Sequence, residues 1–100
     1  MFTVIYKFSI KSGMEDQFIA AWAEMTELIK TYEGGLGSRL HLNKSGEYIA
    51  YAQWPSREQW EKAGDRLPES AETVRKAMRD SCDEMETIHE MKVVVDLLIH

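Results

Sequence analysis

The sequence predicts an α+β fold with the element order β-α-β-β-α-β. Apolar residues alternate with other residues over positions 2–10, which is typical of a strand, and then recur every three or four positions from 14 to 32, as in an amphipathic helix. The second half of the chain also passes from alternating to helical spacing. This order is typical of a ferredoxin-like sandwich with an antiparallel sheet. The length of 100 residues fits one domain, 1–100.

The first helix is predicted to begin just after Ser12 and to end at a glycine-rich link. Ser12 and Glu15 have the spacing of a capping box, in which the serine side chain caps the helix and the glutamate side chain reaches back to it. Asp16 adds negative charge, which favours a helix N-terminus. The segment GGLG at 34–37 interrupts helical structure and forms a tight link to the next strand.

A β-hairpin is predicted for residues 38–54, with its turn at the segment KSG. A two-residue turn would place Leu40 opposite Tyr51 and Leu42 opposite Ile49, on one apolar face. In that register, the other face carries Arg39, His41, Asn43, Tyr48, Ala50, Ala52 and Trp54. The small residues of this face would leave room for a ligand or a neighbouring element, unless a bulge changes the pairing.

The strand that ends at Trp54 is predicted to lead directly into a helix. Pro55 stops the strand ladder, and Ser56 and Gln59 have the spacing of a second capping box. A short helix is therefore expected from Ser56 to about Ala63.

The last third of the chain is predicted to contain one further helix and one strand. After a break at Gly64 to Pro68, apolar residues at helical spacing predict a helix from Ala71 to roughly Thr87. The segment from Met91 to Ile99 is β-branched and apolar except at Asp96, which predicts a final strand.

Composition excludes several classes of partner. A formal net charge of −5, without a cluster of lysine and arginine, argues against nucleic acid and anionic membranes. The longest apolar run, VVVDLLI, is too short to span a bilayer, and no secretory leader is recognisable. The single cysteine, Cys82, is typical of a reducing cytoplasm, where we expect the protein to reside.

No metal or nucleotide cofactor is expected. The three histidines, His41, His89 and His100, lack the spacing of metal ligands, and no acidic cluster accompanies them. The glycines at 34–37 follow a helix, whereas a phosphate-binding loop follows a strand and begins a helix.

A symmetric homodimer is expected because both faces of the predicted sheet carry apolar residues. These residues are Ile5, the cluster of Leu40 and Ile49 in the hairpin, and the terminal strand, while the helices of such a sandwich cover only one face. We therefore expect two copies of the chain to pack sheet face against sheet face.

The chain resembles the antibiotic biosynthesis monooxygenase (ABM) family of dimeric α/β-barrel proteins. Besides the element order, the resemblance lies in Ile10-Lys11-Ser12-Gly13 leading into Phe18 and Trp22, the glycine-rich link, and Trp54-Pro55-Ser56 followed by Trp60. It implies a homodimer in which each protomer holds a pocket between sheet and helices. Family members include cofactor-independent oxygenases of anthrones or quinols, haem-degrading enzymes, and many proteins with no established activity.

The haem-degrading branch is disfavoured. For that branch the resemblance implies an asparagine on the first strand and, on later helices, a tryptophan and a haem-ligating histidine. The corresponding positions here are Tyr6, Ala63 and the segment Ser70 to Thr73, so all three groups are missing.

Five residues are candidates for an oxygenase site. A deprotonated phenol or quinol can itself pass an electron to oxygen, so the protein need supply only a base, donors for an oxyanion and a dry aromatic pocket. The resemblance implies that Tyr6 and Trp54 line the pocket. The hairpin register suggests His41 as the base and Arg39 as a charge for the enolate. Tyr51 is a further source of a wall or a hydroxyl group. We thus assign His41 and Tyr6 to catalysis, and Trp54, Tyr51 and Arg39 to binding of a small aromatic substrate.

Three of these residues also have a structural interpretation. His41 is suited to a hydrogen bond on the hairpin, Trp54 to packing, and the Tyr6 hydroxyl to a bond within the core. The alternative hypothesis is therefore a non-catalytic dimeric module that binds a small molecule or serves a structural role.

Overall fold

The computed structural model describes residues 1–98, which form four strands and three helices. In chain order these elements are β1 (Phe2–Ile10), α1 (Glu15–Tyr32), β2 (Gly37–Leu42), β3 (Tyr48–Trp54), α2 (Arg57–Glu61), α3 (Ala71–Asp80) and β4 (Cys82–Lys92). The strands form one antiparallel sheet in the order β2-β3-β1-β4. This confirms the predicted α+β, ferredoxin-like fold, and the sheet of the chain is open rather than closed into a barrel.

The helices pack against one face of the sheet, which we call the helix-side face. It carries the even-numbered side chains of β1, of which Phe2, Val4 and Phe8 are buried. Phe18 of α1 packs with Phe8, and Trp60 of α2 packs with Phe2 and Val4. The odd-numbered side chains of β1 lie on the opposite, open face. None of the helices formed by residues 1–98 is long and apolar enough to cross a membrane.

The predicted cap of α1 by Ser12 is wrong. The helix begins at Glu15, and the N-cap residue is Met14, without a side-chain capping bond. A turn precedes it, in which the Met14 N–H donates to the Lys11 carbonyl at 3.0 Å and Gly13 has a φ of +84°. This turn already directs the chain into the helix, and the acidic residues of the first turn favour its N-terminus.

The predicted register of the hairpin is wrong by one residue. Leu40 pairs with Ala50 and Leu42 with Tyr48, instead of with Tyr51 and Ile49. The cause lies in the turn, where the side chain of Asn43 accepts bonds from the N–H groups of Ser45 and Glu47 at 3.0 and 2.9 Å. The Asn43 N–H also donates to the Glu47 carbonyl at 3.0 Å, so three residues, not two, form the loop.

This shift redistributes the side chains of the hairpin between the two faces. Leu40 and Leu42 share the helix-side face with the even-numbered residues of β3, including Ala50 and Trp54. Arg39 pairs with Tyr51 and His41 with Ile49, and both partners lie opposite odd-numbered residues of β1, so Arg39, His41 and Tyr51 lie together on the open face. The sheet therefore separates residues that the predicted register had placed on one face.

The second predicted capping residue is confirmed. Ser56 precedes α2 in an extended conformation, and its hydroxyl accepts a hydrogen bond from the Gln59 N–H at 3.2 Å. The helix ends at Glu61, two residues before the predicted end.

The predicted helix from Ala71 to about Thr87 is too long. Helix α3 ends at Asp80, and Cys82–Lys92 forms β4, which pairs with β1. Residues such as Cys82 and Met85 continue the apolar spacing of α3, but the free edge of β1 offers them a strand partner. The predicted strand from Met91 to Ile99 is also wrong, because β4 ends at Lys92 and 93–98 lie outside it; Ile99 lies outside the described residues.

Candidate functional site

A largely apolar cavity of about 260 Å³ lies between the helix-side face of the sheet and the helices. Its volume is slightly below the usual range of small-molecule pockets, roughly 300–1,000 Å³. Its apolar lining includes Tyr6, Phe8, Ala50, Ala52 and Trp54 from the sheet, and Trp22, Met25, Ile29 and Met78 from the helices. Ala50 and Ala52 have short side chains, so the central strands leave the space that larger residues would fill. Aromatic rings at the walls suit this cavity to a planar ligand.

Tyr6 is the principal polar group from β1 in this cavity. Trp60 Nε1 donates a hydrogen bond to Tyr6 Oη at 2.7 Å, and the tyrosine's own proton finds no acceptor among residues 1–98. Burial raises the pKa of the Tyr6 phenol, the Trp60 bond partly opposes this, and the charge of Glu90 adds to it. Tyr6 therefore stays protonated at neutral pH and can donate to an oxygen atom of a ligand.

Trp54 occupies the end of β3, where it both packs the core and lines the cavity. Its side chain is only 3% exposed and belongs to a cluster with Phe2 and Val4. The link between α1 and β2 passes close by, since a Cβ atom at Gly35 would lie 3.7 Å from Trp54 Cη2 and 2.7 Å from Ile29 Cγ2. A side chain at position 35 would thus displace residues that line the cavity.

A buried carboxylate fixes the loop that closes one side of the cavity. Glu33, just after α1, is 4% exposed, and its Oε1 atom accepts hydrogen bonds from the N–H groups of Gly64 at 2.7 Å and Arg66 at 3.2 Å. Gly64 and its neighbours Ala63 and Leu67 line the cavity. Glu33 therefore links the end of α1 to the loop between α2 and α3. Sequence reasoning missed it, because its partners lie about thirty residues away.

We expect Glu33→Ala to loosen this loop. The substitution leaves two backbone N–H groups without their charged acceptor, which should cost about 1–2 kcal/mol of unfolding free energy. Hydrogen exchange measured by mass spectrometry should show faster exchange in 62–68 than in the wild type. Glu24→Ala, in an exposed position of the same helix, is the matched control. Unchanged exchange in the Glu33 variant would contradict the assigned role.

The remaining predicted site residues line a second, shallower groove on the open face. Arg39, His41 and Tyr51 lie along it with Gln53 and Leu98, and its volume is about 450 Å³. His41 is exposed, with Nδ1 3.2 Å from the carbonyl oxygen of Ile49, and the Tyr51 hydroxyl accepts a bond from Gln53 Nε2 at 3.0 Å. The structure thus brings Tyr6 and Trp54 together in one cavity, and Arg39, His41 and Tyr51 together on the opposite face.

Cys82 contributes no reactive group to either site. Its thiol is free and buried, and Sγ lies 3.3 Å from the Met78 carbonyl oxygen, to which it donates. Burial, and secondly the charge of Asp83, raises the pKa of the thiol, which disfavours the reactive thiolate. Within residues 1–98, no group of three or more potential metal-ligating side chains occurs.

Solved structures of low sequence identity share this fold over nearly their whole length. SnoaB, a cofactor-independent oxygenase from Streptomyces nogalater, superposes with a TM-score of 0.76 and 14% identity, covering 96% of this chain and 95% of that protein. An antibiotic biosynthesis monooxygenase structure gives a TM-score of 0.72 and 18% identity, with 95% and 100% coverage. A Bordetella bronchiseptica protein proposed to belong to the same family gives 0.75 and 20% identity, with 94% and 97% coverage.

Sequence comparison identifies the family more directly than these superpositions do. No curated protein matches the chain. The family model described as antibiotic biosynthesis monooxygenase, however, matches residues 1–67, which include β1, α1, the hairpin and α2. The chain therefore belongs to the antibiotic biosynthesis monooxygenase family.

Proposed function

We propose that this protein is a cofactor-independent monooxygenase of a planar aromatic substrate with a phenolic, quinol-like or anthrone ring system. The supporting observation is the Tyr6 hydroxyl, which Trp60 orients and whose proton is free to meet a substrate oxygen inside an aromatic cavity. SnoaB, which shares the fold, is described as a cofactor-independent oxygenase. Family membership and this cavity together support the proposal.

The proposed reaction requires only the substrate, molecular oxygen and the protein. For an anthrone, the methylene carbon loses two C–H bonds and gains a C=O bond, while one atom of O₂ enters the product and the other leaves as water. The substrate anion supplies the electrons. Tyr6 stabilises that anion by donating a hydrogen bond to its oxygen, and the apolar walls exclude water from the reactive intermediate.

No histidine, aspartate or glutamate of residues 1–98 lines the cavity. Ionisation of the substrate would therefore draw on its own acidity, on solvent, on the donor effect of Tyr6 and on the positive charges of Lys30 and Arg75, which also line the cavity. Under this proposal Trp54 forms a wall of the substrate site. His41 lies on the open face, so we do not assign it the role of base within the same protomer.

Oxygen consumption by 1,8-dihydroxyanthrone tests the proposed function. With the protein treated with a chelator and supplied with no flavin, we expect uptake well above the spontaneous rate. With ¹⁸O₂, one labelled atom should appear in the product carbonyl. If the anthrone binds but uptake stays at the rate of buffer alone, the alternative holds, namely a non-catalytic binding module. That no histidine, aspartate or glutamate of the described residues lines the cavity favours that alternative.

We also propose that the protein is a homodimer that packs through its open sheet faces. Ile5, Ile49 and Tyr51 are only half-buried there. Beyond β4, the side chains of Val94, Val95 and Leu97 are 87%, 71% and 89% exposed, which is unusual for apolar residues of one segment. Arg39, His41 and Tyr51 would then contribute to contacts with the second copy, which agrees with the dimeric barrel that the family resemblance implies.

Analytical ultracentrifugation tests the dimer. At micromolar concentration we expect a species of about 23 kDa, twice the chain mass of 11.6 kDa. Tyr51→Asp introduces a charge into the open face and should yield monomer, whereas Ser45→Asp, in the exposed hairpin turn, should not. A wild-type protein that sediments as a monomer would exclude the proposed dimer.

The proposed location is the cytoplasm. A free, buried cysteine is compatible with a reducing compartment.

A further inference from the structure

The charges around the helix-side cavity differ from those of the chain as a whole. The chain has 17 acidic and 12 basic residues, for a formal net charge of −5. Of residues 1–98, however, the charged side chains that line the cavity are Lys30 and Arg75, and no aspartate or glutamate accompanies them. Lys30 belongs to the last turn of α1 and Arg75 to α3, so two elements each bring one positive charge to the same apolar cavity.

Lys30 and Arg75 each form only a weak, partly exposed ion pair with a glutamate of their own helix. Lys30 Nζ lies 3.2 Å from Glu27, and Arg75 Nη1 lies 2.8 Å from Glu72; both are pairs within one helix. The cationic side chains are 45% and 36% exposed, and ion pairs of this kind are weak because water competes with them. A ligand anion can therefore share or replace either glutamate at little cost.

The second terminal nitrogen of Arg75 faces the cavity wall. A Cβ atom at Gly64 would lie 3.9 Å from Arg75 Nη2, and Gly64 itself lines the cavity. Within the described chain, Glu72 bonds only to Nη1. A guanidinium group offers several donors in one plane, and a carboxylate can accept two of them side by side.

We propose that the aromatic ligand of this cavity carries a carboxylate, which Arg75 and Lys30 bind at the cavity mouth. This inference rests on the proposed function of the same cavity and specifies its substrate class. The ring system lies over Ala50 and Ala52, with a ring oxygen at Tyr6. The two cations then select an aromatic acid over a neutral aromatic compound of the same shape.

Two probes that differ only in charge test this proposal directly. Anthraquinone-2-carboxylate and anthraquinone-2-carboxamide have the same ring system, and quenching of the fluorescence of Trp22 and Trp54, which line the cavity, reports their binding. We expect the carboxylate to bind about tenfold or more tightly at low salt, and the preference to shrink as salt is added. The assay measures binding alone and requires no oxygenase activity.

Charge-removing variants assign the preference to the two side chains. Arg75→Gln and Lys30→Gln should each weaken carboxylate binding about threefold to fivefold, and should leave amide binding unchanged. The matched control is Lys76→Gln, which removes the same charge one position along α3, where Lys76 pairs with Asp80 and does not line the cavity. The control should bind both probes like the wild type.

Each contrary outcome has a distinct meaning. If both probes bind equally well to the wild type, the carboxylate proposal fails while the cavity remains an aromatic binding site. Equal losses in the Lys76 and Arg75 variants would attribute the preference to overall charge and would also overturn the proposal. If neither probe binds, the proposed function of the cavity fails, and this inference fails with it.

Discussion

Tyr6→Phe should lower kcat/KM for 1,8-dihydroxyanthrone by a factor of about 100 or more. The substitution removes the one hydroxyl that β1 presents in the cavity and keeps the ring that packs with Phe8. Loss of a single oxyanion donor costs enzymes roughly 10²–10³ in rate. Most of the loss should appear in kcat, because the donor interacts more strongly with the developing anion than with the neutral substrate.

The dependence of the reaction rate on pH distinguishes a Tyr6 that donates a hydrogen bond to the substrate anion from a Tyr6 that acts as a base. The wild-type rate should rise with pH as the substrate ionises. Any fall from loss of the Tyr6 proton should come only above the ordinary tyrosine value of about 10, because burial raises the pKa of Tyr6. If Tyr6 acted as a base, the reaction rate would instead rise as the Tyr6 hydroxyl lost its proton. Stopped-flow measurement across this range distinguishes the two profiles.

Two variants serve as controls for the effect of Tyr6. Tyr51→Phe removes a hydroxyl from the open face, where the Tyr51 ring lies outside the helix-side cavity, and should keep the wild-type rate. Trp60→Phe removes the donor to Tyr6 but not the Tyr6 hydroxyl, so its rate should be intermediate. If Tyr6→Phe retains full activity in a folded protein, Tyr6 does not contribute to catalysis.

The spacing of apolar residues and the capping residues correctly predicted those elements whose structure depends on nearby residues alone. Alternation in β1 and helical spacing in α1 correspond to faces that are buried in the structure, as Phe8 and Phe18 show. Helix α2 follows its own capping residue, Ser56, which needs only the next three residues. Such short-range signals require no knowledge of the rest of the fold.

The errors arose where contacts that the spacing of apolar residues does not reveal decide the structure. Residues 82–85 continue the apolar spacing of α3, and pairing with β1, more than seventy residues earlier in the chain, makes them a strand. In the hairpin, the side-chain bonds of Asn43 lengthen the loop by one residue, and a shift of one residue exchanges the two faces. That single shift placed Arg39 and His41 on the opposite face from Trp54, with which the predicted register had grouped them.

The residues of the candidate site also divide into those that the sequence predicted and those that it did not. Tyr6 and Trp54 were predictable as cavity residues, because their strands alternate and the family resemblance indicated the pocket. Glu33 and Arg75 were not, because each acts on the cavity only after α1, α3 and the intervening loop have packed together. Glu33 ends a helix and Arg75 lies within one, and neither local sequence indicates a contact with the cavity.

Phe18→Ala should be the most destabilising single substitution proposed for this chain. Phe18 is fully buried, and its ring centre lies 4.9 Å from that of Phe8 and 5.6 Å from that of Tyr48. It therefore joins α1 to both central strands beneath the cavity. Removing a buried phenylalanine ring costs about 3–5 kcal/mol, because apolar burial is lost and a void remains. This is a large part of the roughly 5–15 kcal/mol that stabilises a typical domain.

Thermal unfolding at one fixed protein concentration provides the measurement, since dimerisation would make the midpoint depend on concentration. We expect the Phe18→Ala midpoint to fall by roughly 15 °C or more. Ile19→Ala is the matched control, because Ile19 is the next residue of α1 and is 41% exposed, so its midpoint should change by only a few degrees. Equal midpoints for the two variants would mean that α1 does not pack on the sheet through Phe18. The helix-side cavity would then lack the support that holds its aromatic walls in place.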